Sequence, residues 1–281
     1  MAFYKYELSI CAMYKNEAKH LLEWLEYHRM IGVEHFYLYN NLSTDDHTLL
    51  EPYMREGIVN YHDYNVDIPS VHWLMHFRDP DYPYNHCVKT YAHESCRIAF
   101  IDIDEFIVVR SGEDLKKALL KYGEFPGLAI NWLCFGSSNN YTEPDKLVLE
   151  SYFLRPPRDH PDNECVKSIV NPRHVKEWHS VHIPTVDGTI LRPDLSPCIA
   201  VQGVNLCTQP VQHDEMVVFH YRRKSKEYCI FTKIGRLVDL KILKTPIVNS
   251  HQTAKASSTS TTATSWIGRS RIASLGIVLK T

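Results

Sequence analysis

The chain has 281 residues, of which 44% are hydrophobic and 23% charged, a composition typical of a folded protein with a full core. Its formal net charge of −2 gives no general attraction to nucleic acid. The 8 cysteines include no C-x-x-C pair, which argues against a zinc knuckle and predicts free thiols. Because no segment approaches the roughly 18 apolar residues of a membrane span, we expect a cytoplasmic or peripherally membrane-associated protein without a transmembrane segment.

Strand and helix patterns alternate from the start of the chain. Residues 7–13 and 35–39 have strand patterns, and residues 20–31 between them place apolar side chains at helical spacing. A short helix over residues 48–56 and a third strand over residues 58–61 follow. This order predicts parallel strands with right-handed crossovers and a ligand crevice at their carboxyl ends.

An apolar run over residues 98–109 carries acidic residues at its centre. It has the pattern of a strand buried on both faces, yet Asp102, Asp104 and Glu105 lie inside it. Buried carboxylates are costly unless they are paired, hydrogen-bonded or bound to metal. A turn at the end of the strand would let Asp102 and Asp104 share one Mn²⁺ or Mg²⁺ ion that carries a diphosphate. The alternative is a strand end with solvated acids.

The remaining patterns complete a single α/β domain. Helices are predicted over residues 85–96 and 114–122, and a strand over residues 128–135. We expect one domain over residues 1–248 with a mostly parallel central sheet flanked by helices. Residues 249–281 are rich in Ser and Thr and are expected to form a poorly ordered tail.

Polar loops follow the first two predicted strands, where they are expected to lie beside the acidic residues. Amide and carboxylate side chains there are suited to bind uracil and ribose. The alternative is that Asn41 and Ser43 form a turn or cap the next helix. The candidates for the nucleotide pocket are Lys15, Asn16, Glu17, Asn41, Ser43 and Asp45.

Further candidates lie in the second half of the chain. His220 follows a strand-like segment and is a candidate metal ligand, with His182 a weaker one. Lys167 and Lys224 are candidates to neutralise a departing diphosphate, or else they belong to solvated faces. As a general base we favour Glu150. Glu143 and the acids of residues 159–164 are alternatives, and each acid is otherwise a solvated surface group.

Five motifs occur in order along residues 7–240: KNEAKHLLEWLEYHRMIGVEHFYLYNNLSTD, FIDIDEFIV, INWLCFGSS, VKSIVNPRHV and FHYRRKSKEYCIFTKIGR. Together they resemble glycosyltransferase family 92, the former domain-of-unknown-function group 23. The resemblance implies a GT-A fold and metal-dependent, inverting transfer of a sugar, often galactose in β1,4 linkage, from a UDP donor.

The resemblance also assigns roles to residues of this chain. It implies that Asp102 and Asp104 are the Asp-x-Asp ligands of metal and diphosphate, and that His220 lies in the segment that closes over the diphosphate. The loops after the first two strands would line the nucleotide pocket. We therefore expect a glycosyltransferase that acts on a UDP-sugar and a glycan acceptor. The alternatives are a nucleotide-sugar hydrolase, a nucleotidyltransferase on the same fold, or a non-catalytic carbohydrate-binding protein.

Overall fold

The computed structural model describes residues 4–64, 79, 82–178, 180–199 and 210–230. The predicted tail over residues 249–281 lies outside these ranges. The strands are β1 Tyr6–Tyr14, β2 His35–Asn40, β3 Val59–Asp63, β4 Ser95–Phe100, β5 Glu105–Val109, β6 Gly127–Cys134, β7 Val166–Val170, β8 Val175–Trp178, β9 Pro184–Val186, β10 Ile190–Leu191 and β11 Met216–His220. The α-helices are α1 Ala18–Met30, α2 Glu51–Arg55, α3 Pro83–Tyr91, α4 Leu115–Leu119, α5 Val148–Ser151 and α6 Lys226–Tyr228.

One large sheet organises the fold. Its strand order is β3-β2-β1-β4-β7-β6-β11-β5, and β10 adds to β6 beside this path. Strands β7 and β5 run antiparallel to their neighbours, whereas the others on the path share one direction. A separate β8-β9 hairpin completes the sheet structure. The predicted α/β fold, GT-A-like with a mostly parallel central sheet, is confirmed.

Helix α1 covers one face of the sheet. Its buried residues Leu21, Trp24 and Leu25 recur at helical spacing and join the larger hydrophobic core. The Trp24 indole N–H donates to the backbone carbonyl of Glu105 at 2.8 Å, so the helix is tied to the start of β5. Gly32 ends the helix with φ +103°, a conformation that favours glycine. A second cluster, which includes residues of α3, packs on the sheet as well.

The acidic run does not form one strand. The prediction of a continuous strand over residues 98–109 is wrong, because β4 ends at Phe100 and β5 begins at Glu105. Residues 101–104 form a turn between β4 and β5. Strand β5 is the edge strand at the end of the sheet opposite β3. The turn avoids placing the carboxylates of Asp102 and Asp104 inside a two-sided core.

Three smaller expectations have mixed outcomes. The helix predicted over residues 85–96 lies over Pro83–Tyr91, and Ser95 already belongs to β4. Six of the described cysteines are free thiols, namely Cys11, Cys87, Cys96, Cys134, Cys165 and Cys229. The part of the chain that the structure describes has no helix long and apolar enough to span a membrane.

A candidate active site at the carboxyl edge of the sheet

Strand register brings the candidate residues to one edge. The carboxyl ends of β1, β2, β4, β6 and β11 lie there because these strands share one direction. Antiparallel β7 contributes its first residues to the same edge, since Ser168 pairs with Phe100 at the end of β4. Glu105 pairs with His220 for the same reason. The acidic turn, Lys167 and His220 therefore lie close together.

A buried lysine contacts the acidic turn. The Lys167 ammonium, with a side chain 0% exposed, lies 2.9 Å from Asp102 Oδ2 and 3.5 Å from Glu105 Oε2. Burial lowers the pKa of Lys167, but the charges of Asp102 and Glu105 outweigh it and raise that pKa above its ordinary value. Burial raises the pKa of the Glu105 carboxyl well above its usual range. The shorter distance makes Asp102 the principal partner of the ammonium.

Asp104 faces a histidine instead. Its Oδ1 lies 3.5 Å from His220 Nε2, and the two side chains are 10% and 5% exposed. The Trp132 ring packs 4.1 Å from the His220 ring, centroid to centroid, and limits where the imidazole can turn. The backbone N–H of Tyr221 donates to the carbonyl of Asp104 at 2.8 Å. The turn and the end of β11 therefore form one unit.

The fit of this pair to a divalent cation can be judged from its donor set. Among the described residues there is no group of three or more His, Cys, Asp and Glu side chains arranged to hold a metal. The Asp104 carboxylate and the His220 imidazole nevertheless fit Mn²⁺ or Mg²⁺ bound by few protein ligands, with phosphate oxygens and water completing the shell. The weaker candidate His182 is buried, and its Nδ1–H donates to the Val166 carbonyl at 2.8 Å.

The predicted nucleotide-binding loops bind each other. The Asn16 N–H donates to Ser43 Oγ at 2.9 Å, and Asn16 Oδ1 accepts the Thr44 N–H at 2.7 Å. Asp45 Oδ2 accepts the Ala18 N–H at 2.7 Å, at the start of α1. The remaining members are half-buried Lys15 and Asn41, whose N–H donates to the carbonyl of Tyr14 at 2.8 Å. Most of the named polar atoms therefore hold the two loops together.

An open cleft of about 540 Å³ lies beside these loops, at the ends of β2 and β3. Inside it Tyr61 OH donates to Asp63 Oδ1 at 2.7 Å, and the Asn40 amide donates to Tyr61 OH at 2.8 Å. The His47 ring stacks on Tyr61 with centroids 5.3 Å apart. The lining residues are Asn40, Leu42, Ser43, Thr44, His47, Tyr61 and Asp63.

Glu17 and Lys224 bind each other. The buried Lys224 ammonium lies 2.8 Å from Glu17 Oε2, and Tyr228 OH donates to Glu17 Oε1 at 2.6 Å. The ammonium also lies over the Tyr228 ring, 4.2 Å from its centroid. These contacts fasten the segment after β11 to the loop after β1. Both predicted nucleotide-binding residues therefore contribute to this clasp, which consists of Glu17, Lys224 and Tyr228.

The candidate bases differ in their surroundings. Glu143 lies 3.1 Å from His20 Nε2 and 3.2 Å from Lys19 Nζ. Burial raises the pKa of Glu143, but the hydrogen bond and charge of His20 outweigh it and lower the pKa to about 2. Such a carboxylate is a weak base at neutral pH. Glu150 is exposed on α5, in the segment that follows the carboxyl end of β6.

Several residues of this edge are absent from the sequence prediction. Asn40, His47, Tyr61 and Asp63 line the cleft, and Glu105 completes the acidic turn. The rule applied to the first two strands, that polar residues mark strand ends, would also have identified Asp63, the last residue of β3. Glu105 directly follows Asp104, but its hydrogen bond to the Asp102 N–H depends on the turn and has no pattern in the sequence.

Comparison with known proteins shows which family this chain resembles in sequence. The family model described as "Glycosyltransferase family 92" matches residues 4–265. A glycosyltransferase family 92 protein of Oryza sativa subsp. japonica is 31% identical over 186 residues, which cover 63% of this chain and 30% of that protein. One from Ricinus communis is 30% identical over 181 residues, covering 60% and 29%. The chain thus spans less than a third of these relatives' length.

Similarity to solved structures is weak. The crystal structure of HddC from Yersinia pseudotuberculosis aligns with a TM-score of 0.35 at 10% identity, covering 64% of this chain and 82% of that one. Similarity at this level supports no conclusion about function.

Proposed function

Since this chain belongs to glycosyltransferase family 92, we propose that it transfers a sugar, with galactose favoured, from a UDP donor to a hydroxyl of a glycan acceptor. The proposed reaction is metal-dependent and inverting, and forms a β1,4 linkage in the favoured case. The observation that carries the proposal is the Asp104–His220 pair at the carboxyl edge of the sheet.

Asp104 and His220 are the proposed ligands of Mn²⁺ or Mg²⁺. When bound, such a cation stabilises the negative charge that develops on the leaving UDP. The two side chains supply one oxygen and one nitrogen donor from adjoining elements. Their low exposure favours this role, because charges interact more strongly where water is excluded.

The cleft at the ends of β2 and β3 is the proposed site for the nucleoside of the donor. The Asp63 carboxylate offers acceptor oxygens suited to ribose hydroxyls, whereas both N–H groups of the Asn40 amide already donate, to Tyr61 OH and to Asp63 Oδ1. Ser43 belongs to the lining, which keeps one predicted nucleotide-binding residue at this surface. The interlocked loops would hold the cleft in shape before the donor binds.

Glu150 is the proposed base that accepts the proton of the acceptor hydroxyl. An inverting reaction needs this carboxylate on the face of the sugar opposite the leaving UDP. Exposure on α5 makes Glu150 accessible to an acceptor, whereas Glu143 is engaged by His20 and Lys19. In the proposed reaction the proton of the acceptor hydroxyl therefore passes to Glu150 and not to Glu143, which is held in an ion pair with Lys19.

The test is turnover of a panel of UDP-sugars by chelator-treated protein against added Mn²⁺. We expect turnover to require the metal and Asp104→Asn to reduce kcat/KM at least about 100-fold, because one of two protein ligands loses its charge. Asp187→Asn, a matched change at an exposed site, should retain wild-type turnover. Undiminished transfer in chelator would refute metal dependence, and release of free sugar without acceptor would indicate a hydrolase instead.

A further inference from the structure

We propose that Lys167 is a positioning residue that holds Asp102 away from the cation, so that Asp104 is the carboxylate that binds it together with His220. This inference rests on the metal dependence in the proposed function. It assigns different roles to the two aspartates of the Asp-x-Asp motif.

The position of Lys167 in β7 places its side chain beside the acidic turn. It is the second residue of β7, and all five residues of that strand are buried. The register Phe100↔Ser168 sets Lys167 beside the first residue after β4, where the acidic turn begins. A buried ammonium is strongly destabilised without a carboxylate partner. The 2.9 Å contact with Asp102 therefore contributes to folding before any ligand binds.

Asp102 is held from its backbone as well. Its N–H donates to Glu105 Oε2 at 2.8 Å, and the same oxygen lies 3.5 Å from the Lys167 ammonium. Asp104, in contrast, is tied to β11 through the Tyr221 N–H and lies beside His220. The two ends of one short turn are thus fastened to different strands, Asp102 to β7 and Asp104 to β11.

This division has a consequence for cation affinity. The Asp102 side chain is 39% exposed, so it could turn toward a nearby cation if the ammonium were removed. With Lys167 in place, one carboxylate and one imidazole hold the ion, and the diphosphate supplies further ligands. Substituting Lys167 should release Asp102 as an additional ligand. Mn²⁺ should then bind more tightly in the absence of nucleotide.

The experiment is Mn²⁺ binding to the full chain without nucleotide, measured by titration calorimetry after chelator treatment. We expect Asp104→Asn to weaken binding at least about tenfold, and Asp102→Asn to change it less than about threefold. Lys167→Gln should tighten binding several-fold, and adding Asp102→Asn to that variant should remove the gain. A residue needed only for folding would not produce this coupling between positions 167 and 102.

Removing a buried ammonium can strongly destabilise the native state, so the test does not depend on Lys167→Gln alone. The second variant combines Lys167→Gln with Glu105→Gln, which replaces both fully buried ionisable groups of this contact by amides, with melting temperatures as the control for folding. It should tighten Mn²⁺ binding as Lys167→Gln does. Equal weakening by Asp102→Asn and Asp104→Asn would overturn the inference while metal-dependent turnover stands. Wild-type protein that binds no Mn²⁺ and turns over in chelator would overturn both proposals.

Discussion

Many ionisable side chains near the carboxyl edge of the sheet are bound to one another. Lys224 is paired with Glu17, Lys167 with Asp102, and Glu143 with His20. The sequence shows ionisable residues near the ends of predicted strands. It does not show which of them form ion pairs, because the two partners of each pair lie far apart in the chain. Lys224 and Glu17 were each predicted to contact the nucleotide, and they are 207 positions apart.

Glu150 and Glu143 provide a prediction at the scale of one carboxylate. We expect Glu150→Gln to lower kcat about 100-fold or more with little change in melting temperature, because an amide cannot accept the proton. Glu143→Gln should instead lower the melting temperature and largely retain kcat, since Glu143 is held by His20 and Lys19. Rates and thermal unfolding of the two variants, with exposed Glu56→Gln as control, decide this. Full activity of Glu150→Gln would exclude it as the base.

At the scale of elements, helix α1 does more than cover the sheet. Its buried Glu23 accepts the backbone N–H groups of Val148 at 2.7 Å and Leu149 at 3.1 Å, and so holds the first turn of α5. The position of α1 was predictable from the spacing of Leu21, Trp24 and Leu25. The use of Glu23 as a cap for another helix was not, since nothing in the local sequence distinguishes it from a surface acid.

Glu23 gives a pH prediction. Burial raises its pKa from 4.5 to about 7, although the two N–H groups lower it. The native state therefore binds this proton more tightly than the unfolded chain, and its contribution to stability falls as pH rises between those values, by about 3 kcal/mol at most. Denaturant unfolding at several pH values should show a flatter profile for Glu23→Gln than for wild type or Glu56→Gln. An unchanged slope in Glu23→Gln would contradict the assignment.

At the scale of the whole molecule, alternation of strand and helix patterns was enough to predict a mostly parallel sheet, one edge of which holds the candidate residues. It did not predict that β7 is antiparallel, or that β11 lies between β6 and β5. These placements depend on contacts between distant residues, which a local pattern cannot contain. For the same reason Glu105 and Lys167 meet only in the folded chain.

Ligand binding should be visible in the stability of the entire fold. We expect UDP to raise the melting temperature only when Mn²⁺ is present, by about 5 °C at 100 times the dissociation constant. The reason follows from the proposed function, in which nucleotide and ion bind side by side and only to the native state. Differential scanning calorimetry of wild type and Asp104→Asn tests this, and the variant should lose the Mn²⁺-dependent part. Equal shifts with and without the ion would contradict a shared site.

The passage of the chain from β4 to β5 also bears on how the protein folds. Strand β5 pairs with β11, more than a hundred residues later in the chain, so the acidic turn acquires its second anchor only after most of the polypeptide has been synthesised. Contacts at such sequence separation form slowly, because the entropy of closing a long loop is lost before the strand pairing stabilises the chain. Nascent or partly folded molecules would therefore have the acidic turn but lack the assembled centre, and catalytic competence would mark completion of folding.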